Sequence, residues 1–155
     1  MYGAEAQAYP AGVIVAGHVQ YALADEQALT FRVGYNFTER GDFGEHDDED
    51  GGGPGFGVGY RYDFAAPGEN GWLLGGRLDL FFLEIDHETD LPPASGTTDV
   101  VVLQPTIEGG YGWWLRNGRV EVTLAGGAEI NVDTDGEDVG EGAIGLLGVT
   151  YLWGR

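Results

Sequence analysis

Few side chains in this 155-residue chain have the chemistry or spacing of a reactive site. Ser95 is the only serine; it follows Pro92-Pro93 and stands eight residues from His87, which leaves one meagre candidate for nucleophilic catalysis. His46 with Asp47 and Asp48 has the residue types of an acid–histidine hydrolytic site. It lies in a Gly-rich acidic segment with nothing to fix its geometry. Asn131, Asp133, Asp135 and Gly136 match the first half of a calcium-binding loop. The bidentate carboxylate that closes such a loop is replaced by Gly142, and the flanks read as strands. Asp133 and Asp135 are therefore the candidate ligands for Ca²⁺ or another divalent cation, and no other cofactor is expected. The remaining constellation is ionic. Arg32, Arg61, Arg77, Asp79, Glu108 and Glu129 each interrupt a block that otherwise alternates with apolar residues. Such charges act as a static ion-pair network or as a switch that gates a pore. No enzymatic activity is expected.

Composition narrows the setting. There are 26 acids against 7 bases, every base is Arg, and the formal charge is −19. Nucleic acid is excluded as a partner, because too few bases exist to neutralise a run of phosphates. The absence of cysteine removes disulfides and thiolate metal sites. With 29 Gly and no collagen period, a helical bundle is disfavoured, since Gly costs roughly 1 kcal/mol per helical position. The 43% hydrophobic content, set in regular blocks, separates the chain from disordered acidic tails. No run of apolar residues is long enough for a spanning helix. The start, Met1 to Ala8, lacks the basic region and apolar core of a secretory signal, so the chain reads as cytosolic or already processed.

The elements that must position the charges follow from the spacing of turns. Sixteen of the 26 acids fall in three segments, Glu39 to Asp50, Glu84 to Asp90 and Asp133 to Glu141. Between them lie short connections, Ala24 to Gln27, Ala66 to Gly71 and Arg116-Asn117-Gly118, the last an Asn-Gly hairpin signal. Long and short connections alternate, as in an up-and-down antiparallel meander. Seven blocks alternate with period 2. Leu29, Phe31, Val33, Tyr35 and Phe37 share one face, for example, and Thr30, Arg32, Gly34, Asn36 and Thr38 the other. An eighth strand is needed to bring both chain ends to the short-turn side, and only the Ala-rich stretch Met1 to Ala8 is available, with Tyr9 to Gly12 as a tight first turn. Residues 1–155 form a single domain.

The polar faces decide which side meets water. They are rich in Gly with a few Arg, Asp and Glu, which weakens a solvent-facing strand but suits a narrow lumen. The opposite faces carry no Lys or Arg, each of which would cost about 2–4 kcal/mol at a bilayer midplane. Tyr21, Tyr62, Trp72, Trp113, Tyr151 and Trp153 gather near the short turns or the C-terminus, as in an interfacial aromatic girdle. The expected fold is an all-β, up-and-down antiparallel transmembrane β-barrel of eight strands, apolar outside and charged within. Arg32, Arg61, Arg77 and Glu108 stand at comparable distances from their short turns and are expected at similar depth, strand stagger aside, bracketed by Asp79, Glu129, Asp63 and Glu121. His18 beside Gln20 reads as a satisfied lumen residue.

The hairpin from Val19 to Phe37, Val-Gln-Tyr-Ala-Leu-Ala-Asp-Glu-Gln-Ala-Leu-Thr-Phe-Arg-Val-Gly-Tyr-Asn-Phe, resembles those of small outer-membrane β-barrels, the group of outer membrane proteins A, W and X. The ending Gly148-Val149-Thr150-Tyr151-Leu152-Trp153 is similar to the C-terminal signal read by the barrel-assembly machinery. It departs from that signal in having Trp for the usual Phe and in continuing with Gly154-Arg155. The resemblance implies a Gram-negative outer membrane reached after signal-peptide removal. It also implies the lipid bilayer, lipopolysaccharide and the assembly machinery as partners, with an envelope protein partner a further option.

The function expected is structural or surface-interactive, with a lumen plugged by polar side chains and acidic extracellular loops. Those loops and the absence of Lys suit a high-salt surface or divalent-cation bridges to lipopolysaccharide phosphates. The alternatives are a narrow channel or lateral path for small solutes or apolar molecules, a barrel subunit of a larger envelope assembly, and a soluble ligand-binding barrel of lipocalin type.

Overall fold

A computed structural model describes residues 1–40, 48–90, 93–136 and 139–154. It contains eight strands: β1 (Tyr2–Tyr9), β2 (Gly12–Ala24), β3 (Gln27–Glu39), β4 (Asp48–Asp63), β5 (Gly71–Asp90), β6 (Pro93–Leu115), β7 (Gly118–Asp135) and β8 (Gly142–Trp153). Each pairs antiparallel with the next, and β1 closes on β8 through a register running from Tyr2↔Trp153 to Ala8↔Leu147. Closure pairs every strand on both sides through the middle of the wall, as a lipid environment requires. The short Ala-rich N-terminal stretch is thus a strand, hydrogen-bonded on both sides.

The pleat sets the sides. In β3 the exposed positions include Phe31, Val33, Tyr35 and Phe37, while Thr30, Arg32, Asn36 and Thr38 are buried. The same sign holds around the ring. Tyr60, Leu78 and Leu124 point outward, the last 67% exposed. Arg61, Arg77, Asp79 and Glu121 point inward and are almost wholly buried. An apolar exterior around a charged interior is the reverse of a soluble barrel.

The strands on one side are tall. β5 has 20 residues and β6 has 23, against about 9–11 for a tilted bilayer crossing. The outward series on β5 runs Trp72, Leu74, Leu78, Leu80, Phe82 and then turns acidic at Glu84 and Asp86. The apolar band ends there, and the rest of β5 to β7 projects beyond it toward the long connections.

A second interior layer is apolar. Ile14, Phe81, Leu83, Ile85, Val100, Val102 and Leu146 are all at most 3% exposed and pack together with Tyr9 and Val139. The lumen expected to be plugged by polar side chains thus also holds an apolar layer. In β5 and β6, the runs Leu80-Phe81-Phe82-Leu83 and Val100-Val101-Val102-Leu103 are apolar on both faces. The alternation pattern assigned only the outward set.

Candidate functional site

Among the described residues, the charged side chains of the lumen form three groups. The central one is built on β1, β2, β3, β5 and β6. Arg32 Nε donates to Asp79 Oδ1 at 2.6 Å, and Arg77 Nε donates to Asp79 Oδ2 at 2.9 Å. Arg77 Nη1 reaches Glu108 Oε2 at 3.0 Å. Glu5 Oε1 lies 3.3 Å from Nη1 of both arginines, and Glu5 Oε2 contacts His18 Nδ1 at 3.0 Å. Gln7 Oε1 accepts from Arg32 Nη1 and Arg77 Nη2. Glu5, a residue that sequence reasoning passed over, is thus the shared acceptor for three partners. His18 is buried in the lumen with Nδ1 on Glu5, while its Nε2 has no hydrogen-bond partner.

The second group lies at the short-turn mouth. Arg61 pairs with Glu121 at 2.7 Å and Asp63 at 3.3 Å, and Arg119 pairs with Asp63 at 2.6 Å and Glu121 at 3.1 Å. Two guanidiniums and two carboxylates close a square, and Gln20 Oε1 accepts from Arg61. The expectation that Arg61 shares the depth of Arg32 and Arg77 is corrected. β4 ends at Asp63, so Arg61 is two residues from its mouth, whereas Arg32 is five residues into β3 and Arg77 six into β5. The turn after β4 is longer than its Pro-Gly core suggested.

The third group lies toward the long connections. Glu129 accepts from Gln104 Nε2 at 2.6 Å and stands 3.6 Å from Arg40 Nη2, and Arg40 Nη1 pairs with Glu49 at 3.1 Å. Arg40, Glu49 and Arg119 carried no distinctive sequence signal, because each sits at a strand end where the alternation fades. The apolar layer on β5 separates Asp79 from His87 near this third group.

Glycine makes the central group possible. Gly57 is in register with both Arg32 and Asp79, one on each neighbouring strand. A Cβ there would collide with the Asp79 carboxylate. Gly112 likewise leaves the space taken by the Arg119 guanidinium. At eight strands an interior has just enough width to be filled by side chains. Here long charged residues facing small ones fill it.

Comparison with known proteins bears on the fold. No protein-family model matches the sequence, and no curated protein does. Among solved structures, the N-terminal β-barrel domain of Pseudomonas aeruginosa OprF superposes with a TM-score of 0.59 at 18% identity, over 97% of this chain and 93% of that one. Neisserial surface protein A superposes with a TM-score of 0.55 at 16% identity, over 98% and 93%.

The fold is that of the small eight-stranded outer-membrane β-barrels.

In an outer-membrane barrel fold the other sequence-derived residues take clear places. Tyr21, Trp72, Trp113, Tyr151 and Trp153 are exposed on the outer wall near the short turns, and Tyr62 is half-buried beside them. Neighbouring rings touch, with centroids 5.3 Å apart for Trp72–Tyr111, 4.8 Å for Tyr111–Trp113 and 5.9 Å for Tyr151–Trp153. Asp133 and Asp135 are outward on extended strand β7, not in a loop. Among the described residues no group of three or more acidic or histidine side chains is arranged to hold a metal ion. Ser95 lies in β6 and is exposed, whereas His87 on β5 is buried in the lumen against Gly96. Their side chains stand on opposite faces of the sheet, so the pair lacks nucleophile–base geometry. The constellation of His46, Asp47 and Asp48 lies outside the residues whose side chains are described.

Proposed function

We propose that this chain is an integral outer-membrane protein with a structural or surface-interaction role. Its lumen is closed by its own side chains, and its carboxylate-rich long-connection end faces the exterior. The observation that carries the reading is the inverted pleat, with Phe31, Tyr60, Leu78 and Leu124 outward and the Arg–carboxylate groups inward. Exposing that many large apolar side chains to water has no compensating gain, whereas a bilayer absorbs them. The aromatic rim at the short turns and the acidic turnover above Phe82 bound a band of bilayer height.

A closed lumen favours the non-conducting role. Three ionic groups and one apolar layer are stacked along the axis, and a hydrated path would have to break buried pairs. The bilayer and the barrel-assembly machinery are the partners this role requires, with signal-peptide removal on the way. The test is reconstitution. The folded chain is expected to need detergent or lipid, to migrate differently on gels before and after heating, and to give no discrete conductance in planar bilayers. A protein that stays in solution without detergent would overturn the membrane role, and unitary current steps would replace the closed lumen with a channel.

A further inference from the structure

On the outer wall of β3 to β7, the step from apolar to anionic occurs within one row of residues. The lower row, in register, is Tyr35, Pro54, Phe82 and Val101. The next row is Phe37, Gly52, Glu84, Asp99 and Asp135. Gly52 supplies no side chain, and its φ of 155° admits few other residues. The gap it leaves belongs to a groove of about 630 Å³ with an apolar floor of Tyr35, Pro54 and Phe82. Its lip is formed by Glu84, Asp86, Asp99, Asp133 and Asp135, and no basic residue lines it. That volume falls within the range of small-molecule sites, about 300–1,000 Å³.

The lip has an electrostatic deficit. Glu84 faces Asp99 directly across β5–β6, and Asp99 faces Asp135 across β6–β7. Like charges in directly opposed cross-strand positions are destabilising. Asp86 accepts from Thr97 Oγ1 at 2.6 Å. Among the described residues, Glu84, Asp99, Asp133 and Asp135 have no ion-pair partner. A phosphate-headed lipid would be repelled at this height. A positive head would relieve the opposed carboxylates while its apolar body lay on Phe82 and Pro54 below.

We infer that this groove docks a membrane-embedded cationic amphiphile from the surrounding leaflet, its protonated amine at the Glu84–Asp99–Asp135 row and its hydrocarbon on the Tyr35–Phe82 floor. This rests on the membrane reading above, since only in a bilayer does the floor face lipid. It adds a ligand class that the closed lumen does not address.

The test uses the full chain in phosphatidylcholine nanodiscs, titrated with dodecylammonium while backbone amide resonances are followed by NMR. The expected result is a saturable shift confined to amides near Gly52, Phe82 and Asp99. The exposed triple variant Glu84→Gln, Asp99→Asn, Asp135→Asn is expected to weaken the half-saturation concentration by about tenfold or more. Phe82→Ala, which keeps the carboxylates, is expected to weaken it as well, and that separates docking from simple charge attraction. Equal shifts with dodecyl sulfate or dodecyl maltoside overturn the inference. So do shifts spread over every acidic position of the long-connection end, or the same shifts produced by MgCl₂ alone. A chain that fails to enter nanodiscs overturns the membrane reading and the groove with it. One that inserts but does not respond overturns the groove alone.

Discussion

Arg32 Nε donates to Asp79 Oδ1 at 2.6 Å although the two residues sit on β3 and β5, with β4 between them. The contact spans an intervening strand because Gly57, in register with both, has no side chain to stand in the way. Asp79 then accepts from Arg77 as well, so one carboxylate holds two guanidiniums in a region from which water is excluded.

Gly57→Ala is expected to displace that carboxylate and leave two buried cations short of a counter-charge. The loss should be about 3–5 kcal/mol, the scale of breaking a buried pair from one side. Urea unfolding in detergent micelles measures it. A double replacement, Arg32→Met with Asp79→Leu, should cost less than Asp79→Leu alone, because it removes one of the two guanidiniums that the lost carboxylate neutralised.

Glu5→Gln removes the negative charge shared by Arg32, Arg77 and His18 while preserving shape. Destabilisation of about 3 kcal/mol is expected, of the same origin. Hydrogen exchange should show the loss first in β1, which holds to the sheet through only eight residues. Uniform loss of protection over all eight strands, with β1 no worse than β5, would contradict the role given to Glu5.

Leu78 lies midway between the Trp72 ring and Phe82, at the centre of the apolar band, and Phe37 lies at its upper edge. Leu78→Arg should make folding into vesicles less favourable by about 2–4 kcal/mol, and Phe37→Arg by about 0–1. The reverse ranking would move the bilayer away from the height assigned by the aromatic rim.

Phe81 is 2% exposed inside the apolar layer and also lies under Arg32, whose Cζ is 6.0 Å from the ring centroid. Phe81→Ala should cost about 3–5 kcal/mol through the cavity it leaves. Phe82→Ala, one residue along but facing out, should cost distinctly less in the same micelle assay, since detergent fills the space.

The barrel was legible because two independent patterns agreed. Turn length alternated along the chain, and strand faces alternated within each block, so Arg32, Arg77, Asp79 and Glu108 could be set on one side of the wall before any contact was known. What escaped was whatever the alternation did not mark. Glu5 belongs to a stretch of small residues with no hydrophobic face to reveal its orientation. Phe81 and Val102 belong to runs that are apolar on both faces, where period 2 is silent. The depth of Arg61 depended on where β4 stops, and the Pro67-Gly68 turn signal placed that stop too late. Arg119, next to the Asn-Gly turn, carries no signal that marks it, yet it completes the mouth square with Asp63 and Glu121.

The position of Glu5 on the first strand has a consequence for assembly. Until β1 meets β8, the sheet is an open ribbon, and the guanidinium of Arg77, four strands away from Glu5, lacks one of its neutralising neighbours. Joining the chain's two ends therefore supplies the missing backbone partners and the missing counter-charge in a single event. A half-zipped ribbon is penalised on both counts, so the closed cylinder has no comfortable precursor in which to linger.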